Sequence, residues 1–352
     1  MMDLSKDKDP VVHEKMKKNL VYVSLFSIVM FFTGLSSAYI VLMGDAIWLK
    51  ASLPKAFWWS TISILLSSIS FIFAIKYAKK DNQNFLKSLM AITFLLGCLF
   101  IYFQFQGFSE LRSKGIYGTS LIMVSNGKYG EPFEVKIKDQ LVEVKNNKFT
   151  MNNKTLEGGE LKIFKSFLKN FIPSKSNPTG QKIPNMPSDI QLLYNGSPLI
   201  YKKETFFTND STQMGPADFL TLRTLAQNVQ IGRVDLVPLG EIGEDFKIWF
   251  KGEELVMEGR NLTRKNGKKL SAHDLDEAQT SRDNASGFLF VLAYAHLAHI
   301  FVALLYLLKI VVRTFRNNFN SNNHLSLRLT SIFWHFLGLL WGYLILFLVF
   351  IH

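Results

Sequence analysis

The sequence predicts a mainly α-helical membrane protein: a five-transmembrane-helix bundle with a small α+β soluble domain inserted between helices three and four. Three observations predict it. Only 19% of the 352 residues are charged while Phe fills 31 positions, so apolar residues must cluster. They do so in five runs free of Asp, Glu, Lys and Arg, at 19–43, 57–75, 88–108, 287–308 and 329–352. A bilayer core about 30 Å thick takes roughly 20 apolar helical residues to cross, and non-helical backbone cannot cross it unpaired. Between the third and fourth runs the chain then changes character for the whole of 109–286.

Residues 1–18 read as a cytoplasmic tail, because basic residues near span ends prefer that side. One face of the bundle collects Lys6, Lys8, Lys15, Lys17 and Lys18 with Lys76, Lys79, Lys80 and Lys87, and Lys309, Arg313, Arg316 and Arg328. The opposite short loop has only Lys50 and Lys55. The N-terminus is therefore expected inside, with the inserted segment and the C-terminus outside. The first run is too long for a signal peptide and shows no A-x-A cleavage site.

Residues 19–108 hold membrane helices one to three. Gly34, Ser36, Ser37 and Ala38 in the first, and the Ser-rich run Ser60–Phe71 in the second, are small residues that let helices approach and hydrogen-bond across. Gly34, Ser67, Ser68 and Gly97 are the expected packing positions. The third helix contains the one cysteine, Cys98, which leaves no disulfide framework and no cysteine-based metal knuckle.

The 109–286 segment is expected to be an extracytoplasmic α+β domain with its own core. Apolar residues alternate at Phe133, Val135 and Ile137, break, and resume at Val142 and Val144, which reads as antiparallel strands. Phe246–Gly259 repeats the pattern around a Lys251-Gly252 turn, Ala217–Gln230 reads as a helix, and the four prolines between Pro173 and Pro187 mark a loop. The segment holds 25 basic and 22 acidic residues, so most of the net charge of +12 lies on the tail and short loops. That pattern orients a membrane protein and does not make a nucleic-acid face. A phosphate-binding Gly-rich loop with its Lys is also absent.

Residues 287–352 hold membrane helices four and five, and with them three intramembrane imidazoles: His296, His299 and His335. Ionisable side chains at membrane depth mark function or helix contacts. His296 and His299 share one helix face, and the antiparallel fifth helix brings His335 to a depth within about one and a half turns. Three readings stay open for them: helix-joining hydrogen bonds, a proton-relay or lipid site, and haem or metal ligation. None of the five runs carries a carboxylate, so a proton or cation pump confined to this chain lacks its usual parts.

At these residues the chain resembles subunit III of haem–copper cytochrome c oxidases. Trp334, His335, Phe336 and Trp341 match that family's W-H-F-x-x-x-x-W terminal helix, and Phe290, His296 and His299 its F-x-x-x-x-x-H-x-x-H helix. Ser27, Phe31, Phe32, Gly34, Ala38 and Tyr39 are similar to its S-E-x-x-F-F-x-G-x-x-x-A-Y helix. Leu65, Leu66, Ser67 and Ser68 match L-L-S-S, and Leu95, Leu96, Gly97, Phe100 and Gln104 match L-L-G-x-x-F-x-x-x-Q. Two of the family's seven helices are missing, Ile28 stands where the family has a membrane Glu, and Gly338 where a carboxylate often follows.

The resemblance implies an accessory subunit with no catalytic residue, no metal and no cofactor of its own. Haem and copper would lie in partner subunits. The implied partners are oxidase subunits I and II and bound phospholipid, with a cytochrome c domain or an adjoining respiratory complex as further candidates for the insert, and no nucleic acid. The expected location is a bacterial plasma membrane. Two rivals from other classes are a stand-alone haem-binding membrane anchor using His296, His299 and His335, and a transporter with an external domain.

Overall fold

The computed structural model describes residues 10–124, 130–175, 177–180, 187–202, 205–208, 212–320 and 323–351. The first nine residues of the expected tail, including Lys6 and Lys8, and residues 181–186 of the expected loop lie outside the described residues. The chain divides into two compact units: 1–43 with 52–113 and 285–352, and 44–51 with 114–284.

The first unit is built of five helices: α1 (Pro10–Asp45), α2 (Lys55–Lys79), α3 (Gln83–Ser113), α7 (Asn284–Phe315) and α8 (Leu325–Phe350). All five are long and apolar enough to cross a membrane. Each extends several residues past its uncharged run, because Lys, Gln and Arg at the ends are good helix formers and reach water from the last turn. α2 and α3 form an antiparallel hairpin about a tight corner at Asp81, and α8 packs against α2. Gln83 at that corner donates to the Phe319 carbonyl at 2.7 Å, and Arg313 lies over the Phe319 ring. The corner thus meets the α7–α8 connection.

The second unit is an α+β domain with three sheets among the described residues. One has six strands in the order β5-β4-β3-β2-β6-β7: β2 (Phe133–Ile137), β3 (Gln140–Lys145), β4 (Lys148–Met151), β5 (Lys154–Thr155), β6 (Ile190–Tyr194) and β7 (Ser197–Pro198). The second has four, β1-β10-β11-β12: β1 (Ile47–Ala51), β10 (Phe246–Phe250), β11 (Glu253–Glu258) and β12 (Asn261–Arg264). A hairpin of β8 (Ile200–Lys202) and β9 (Thr205–Phe207) makes the third. The helices are α4 (Gly158–Lys169), α5 (Pro216–Ile231) and α6 (Ala272–Thr280).

Local chemistry places these elements. The hairpin pairs Lys138-Asp139, Asn146-Asn147 and Lys251-Gly252 all have positive φ, as two-residue turns matching strand twist require. α5 starts at Pro216, with the Asp218 carboxylate accepting from the Gly215 N–H at 2.9 Å, and it stops at Gly232, whose φ is +77°. α6 starts where Ser271 Oγ accepts from the Asp274 N–H at 3.1 Å. The expected helix and strand stretches are all present. β1, β5 to β9, β12, α4 and α6 are additions to the reading made from sequence.

The two large sheets have separate cores. Phe133, Val135, Ile137, Phe149, Phe164, Phe167 and Leu222 pack in one; Ile47, Leu49, Phe246, Ile248, Phe250, Leu255 and Ala278 pack in the other. Buried Asn147 ties its turn to the segment beyond α5, donating to the Pro238 carbonyl at 2.8 Å and accepting from the Leu236 N–H at 2.9 Å.

Candidate functional site

The seam between α2, α3, α7 and α8 gathers many of the buried polar side chains described in the membrane unit. In α2 the residues Ser60, Ser63, Ser67 and Ser70 recur every three or four positions and are all buried, so the Ser-rich run is one helix face turned inward. On α8, Trp334 and Trp341 are seven apart and fully buried. Trp334 Nε1 donates to Ser67 Oγ at 3.0 Å, and Ser67 Oγ donates on to the Thr93 carbonyl at 3.0 Å. About two turns along α8, Trp341 Nε1 donates to Thr61 Oγ1 at 3.0 Å. Ser70 Oγ reaches the Leu89 carbonyl at 3.0 Å, and Gln104 Nε2 reaches Ser60 Oγ at 2.9 Å. In a medium without water these bonds satisfy groups that would otherwise be stranded.

Small residues make the approach possible. A Cβ on Gly97 would lie 2.8 Å from both Leu304 and Trp334, so the indole sits where a side chain would be. A Cβ on Gly338 would meet Ser68 Oγ at 3.3 Å. A longer residue at 338 would therefore have to displace Ser68. Gly34 differs: an added Cβ there meets nothing within 4 Å.

The three imidazoles have different surroundings. His296 is fully buried in an aromatic box, stacked on Trp341 at 5.3 Å and edge-on to Phe100 at 5.9 Å and Phe32 at 6.4 Å. Among the described residues neither of its ring nitrogens has a hydrogen-bond partner. His299, half-buried, shares Phe32 at 5.9 Å and places Nδ1 2.7 Å from the Ala295 carbonyl of its own helix. His335 rests against Phe71 of α2 at 6.1 Å, and its Nε2 has no partner among the described residues. Among the described residues no three His, Cys, Asp or Glu side chains gather as a metal-binding group.

Beside the seam, an open cleft of about 390 Å³ runs between α1, α7 and α8. Leu20, Val21, Val302, Ala303, Leu329 and Phe333 give it apolar walls, with Lys17, Ser24, Tyr306, Ser326 and Thr330 as its polar groups.

Sequence reasoning named Phe32 and Gln104 only as matches to the resembling family's helices, and did not single out Thr61 or Thr93. The Trp334–Trp341 spacing was the available signal, since two indoles on one face need two hydroxyl partners on the facing helix.

The chain is similar to a curated protein, cytochrome c oxidase subunit 3 of Spodoptera frugiperda, with 32% identity over 77 residues. The match takes in 21% of this chain and 52% of that protein, so the chain spans about half the length of the relative it matches. No family model matches the chain, and no solved structure matches it.

Proposed function

We propose that this chain is an accessory subunit of a proton-pumping terminal oxidase, the counterpart of cytochrome c oxidase subunit III. It packs on the catalytic subunit, holds lipid and sustains turnover, without supplying a reacting group. One observation carries the reading. Residues that match the family's pattern on separate spans meet in one packed seam: Trp334 on Ser67 and Gly97, Trp341 on His296, and Phe32 and Phe100 around the same imidazole. The similarity to a curated subunit 3 supports it independently.

The α1–α7–α8 cleft has the shape and chemistry for a phospholipid acyl chain, with Lys17 positioned for a headgroup phosphate. The charge asymmetry supports a cytoplasmic N-terminus, and the inserted domain and five-span form are the grounds for a bacterial plasma membrane. β1 pairs with β10, so the α1–α2 connection and the insert share a sheet, which is consistent with alternating spans. On that outer side the insert would dock a neighbouring subunit or an electron-donor complex, since a nearly charge-balanced domain suits a fixed neighbour better than a steered soluble one.

The test is copurification. Tagged chain extracted in mild detergent should bring down a partner with haem and copper spectra, while the isolated chain shows no haem band. A haem spectrum intrinsic to the isolated chain would instead establish the membrane-anchor reading, with unpartnered His296 as the first candidate ligand.

A further inference from the structure

The two large sheets of the insert are related. At one constant offset along the chain, Phe133, Val135 and Ile137 fall on Phe246, Ile248 and Phe250, and both triplets point into a core. The same offset carries the Lys138-Asp139 turn onto Lys251-Gly252. It also carries a side-chain bond: Thr150 Oγ1 donates to the Glu143 carbonyl at 3.4 Å, and Thr263 Oγ1 to the Val256 carbonyl at 3.4 Å. Beyond Thr150 the chain turns through Asn152-Asn153 and pairs Thr155 back onto it; beyond Thr263 it turns through Asn266-Gly267, one residue longer, and pairs Lys269 back. Buried Leu156 then leads into α4, and Leu270 into α6.

The correspondence extends to the strand each copy needs on its open side. In the first sheet, Ile137 faces Ile190 and Val135 faces Leu192 of β6. In the second, the equivalent Phe250 and Ile248 face Ile47 and Leu49 of β1. Both pairings are antiparallel and in the same register, and all four donor side chains are buried. A one-residue slip would turn each donor's apolar pair to the wrong face, so agreement in register is not a product of loose strand pairing.

We infer that the insert is a tandem pair of one β-meander–helix module, and that the second copy is completed by a strand donated from the α1–α2 connection. The β10 edge is thus a strand-accepting surface that recognises an extended segment with Ile and Leu two positions apart. The first copy finds that segment downstream of itself, as β6. The second takes it from residues far upstream, and main-chain pairing supplies the attachment while the Ile and Leu pockets set the register. The inference concerns the α+β unit, β1 included, and does not depend on the oxidase reading.

The test uses the full-length chain in membranes, with Cys98→Ser to remove the native thiol. Lys50 faces Lys247 and Gln191 faces Lys136 across the donor pairs, so the double variants K50C/K247C and K136C/Q191C should each close a disulfide on mild oxidation. Failure of the first pair while the second closes would overturn the donated strand. Limited proteolysis then tests the duplication. Leu49→Ala should speed cleavage within 246–280 about 30-fold or more and leave 133–172 unchanged, and Leu192→Ala should do the reverse. If either variant opens both regions at equal rates, the insert is one cooperative unit and the two-module reading falls. Should the alanine variants not accumulate, the disulfide pairs still decide the donated strand.

Discussion

Gly97→Ala is the sharpest probe of the seam. The added methyl would sit 2.8 Å from Leu304 Cδ1 and 2.8 Å from Trp334 Cη2, where ordinary carbon contacts begin near 3.4 Å. Neighbours must therefore yield by more than half an ångström. Leu304 can change rotamer, but the indole is held by the 3.0 Å bond from Nε1 to Ser67 and is fully buried. Overpacking of this kind costs about 1–3 kcal/mol. If the indole moves far enough to lose Ser67, roughly 0.6–1.5 kcal/mol is added for a buried bond between membrane helices. The expected loss is about 2–4 kcal/mol, set against Gly34→Ala, whose Cβ meets nothing and whose only effect is a helix-propensity gain of up to about 1 kcal/mol. Equilibrium unfolding of the purified chain in mixed detergent micelles, or a thermal midpoint followed by Trp fluorescence, measures both. If the two variants shift stability equally, or Gly97→Ala is neutral, the seam around Trp334 is not packed as described.

Three further outcomes are expected. His296→Phe should leave stability unchanged or raise it, because it replaces an imidazole with two unpartnered nitrogens by an apolar ring in an aromatic box; a loss beyond about 1 kcal/mol in the same unfolding assay would mean that the imidazole is hydrogen-bonded in the membrane. In the insert, Lys265 at 2.6 Å and then Lys247 at 3.5 Å hold the Glu254 carboxyl below its ordinary value of 4.5. Its contribution is therefore present above pH 4.5 and lost as pH falls through the lower folded value, so Glu254→Gln should flatten the acid limb of the stability curve; an unchanged slope would refute the assignment. Single cysteines at Asn82 and Asn317 should react with impermeant maleimide only from the cytoplasmic side and one at Lys268 only from outside, and the reverse pattern would invert the proposed orientation.

The membrane spans were legible because crossing a bilayer imposes a composition that no other constraint mimics. Phe133–Ile137 and Phe246–Phe250 were legible too, since each has one buried face and a period of two. β1 was not. Its five residues, Ile47–Ala51, lie between two helices, include Trp48 and Lys50 on the alternate positions, and acquire meaning only from a partner strand some two hundred residues away. Non-local pairing leaves no local signature. α4 was different, because Phe164, Phe167 and Leu168 do show helical spacing. That signal lay in the sequence, between a strand pattern and a proline-rich loop that drew the reading elsewhere.

The site was legible in its residues and not in its grouping. His296, His299 and His335 stood out as imidazoles at membrane depth, yet depth along a helix says nothing of the direction in which a side chain leaves it. His296 points at Trp341 and Phe100, His335 at Phe71 of α2, and their neighbours are aromatic rings more than polar partners. The polar work of the seam falls instead to indole N–H groups and serine hydroxyls, which carry no charge and so no large cost of entering the bilayer. Gly338 fits the same logic. Where the resembling family often has a carboxylate, this chain has no side chain, and the space is taken by Ser68 from the facing helix. Ile28, where that family has a membrane Glu, is buried and apolar. At both positions the bundle interior of this chain is uncharged. With Trp334 bonded to Ser67, Trp341 bonded to Thr61 and no charge at positions 28 and 338, the helices of the membrane half are joined by uncharged contacts.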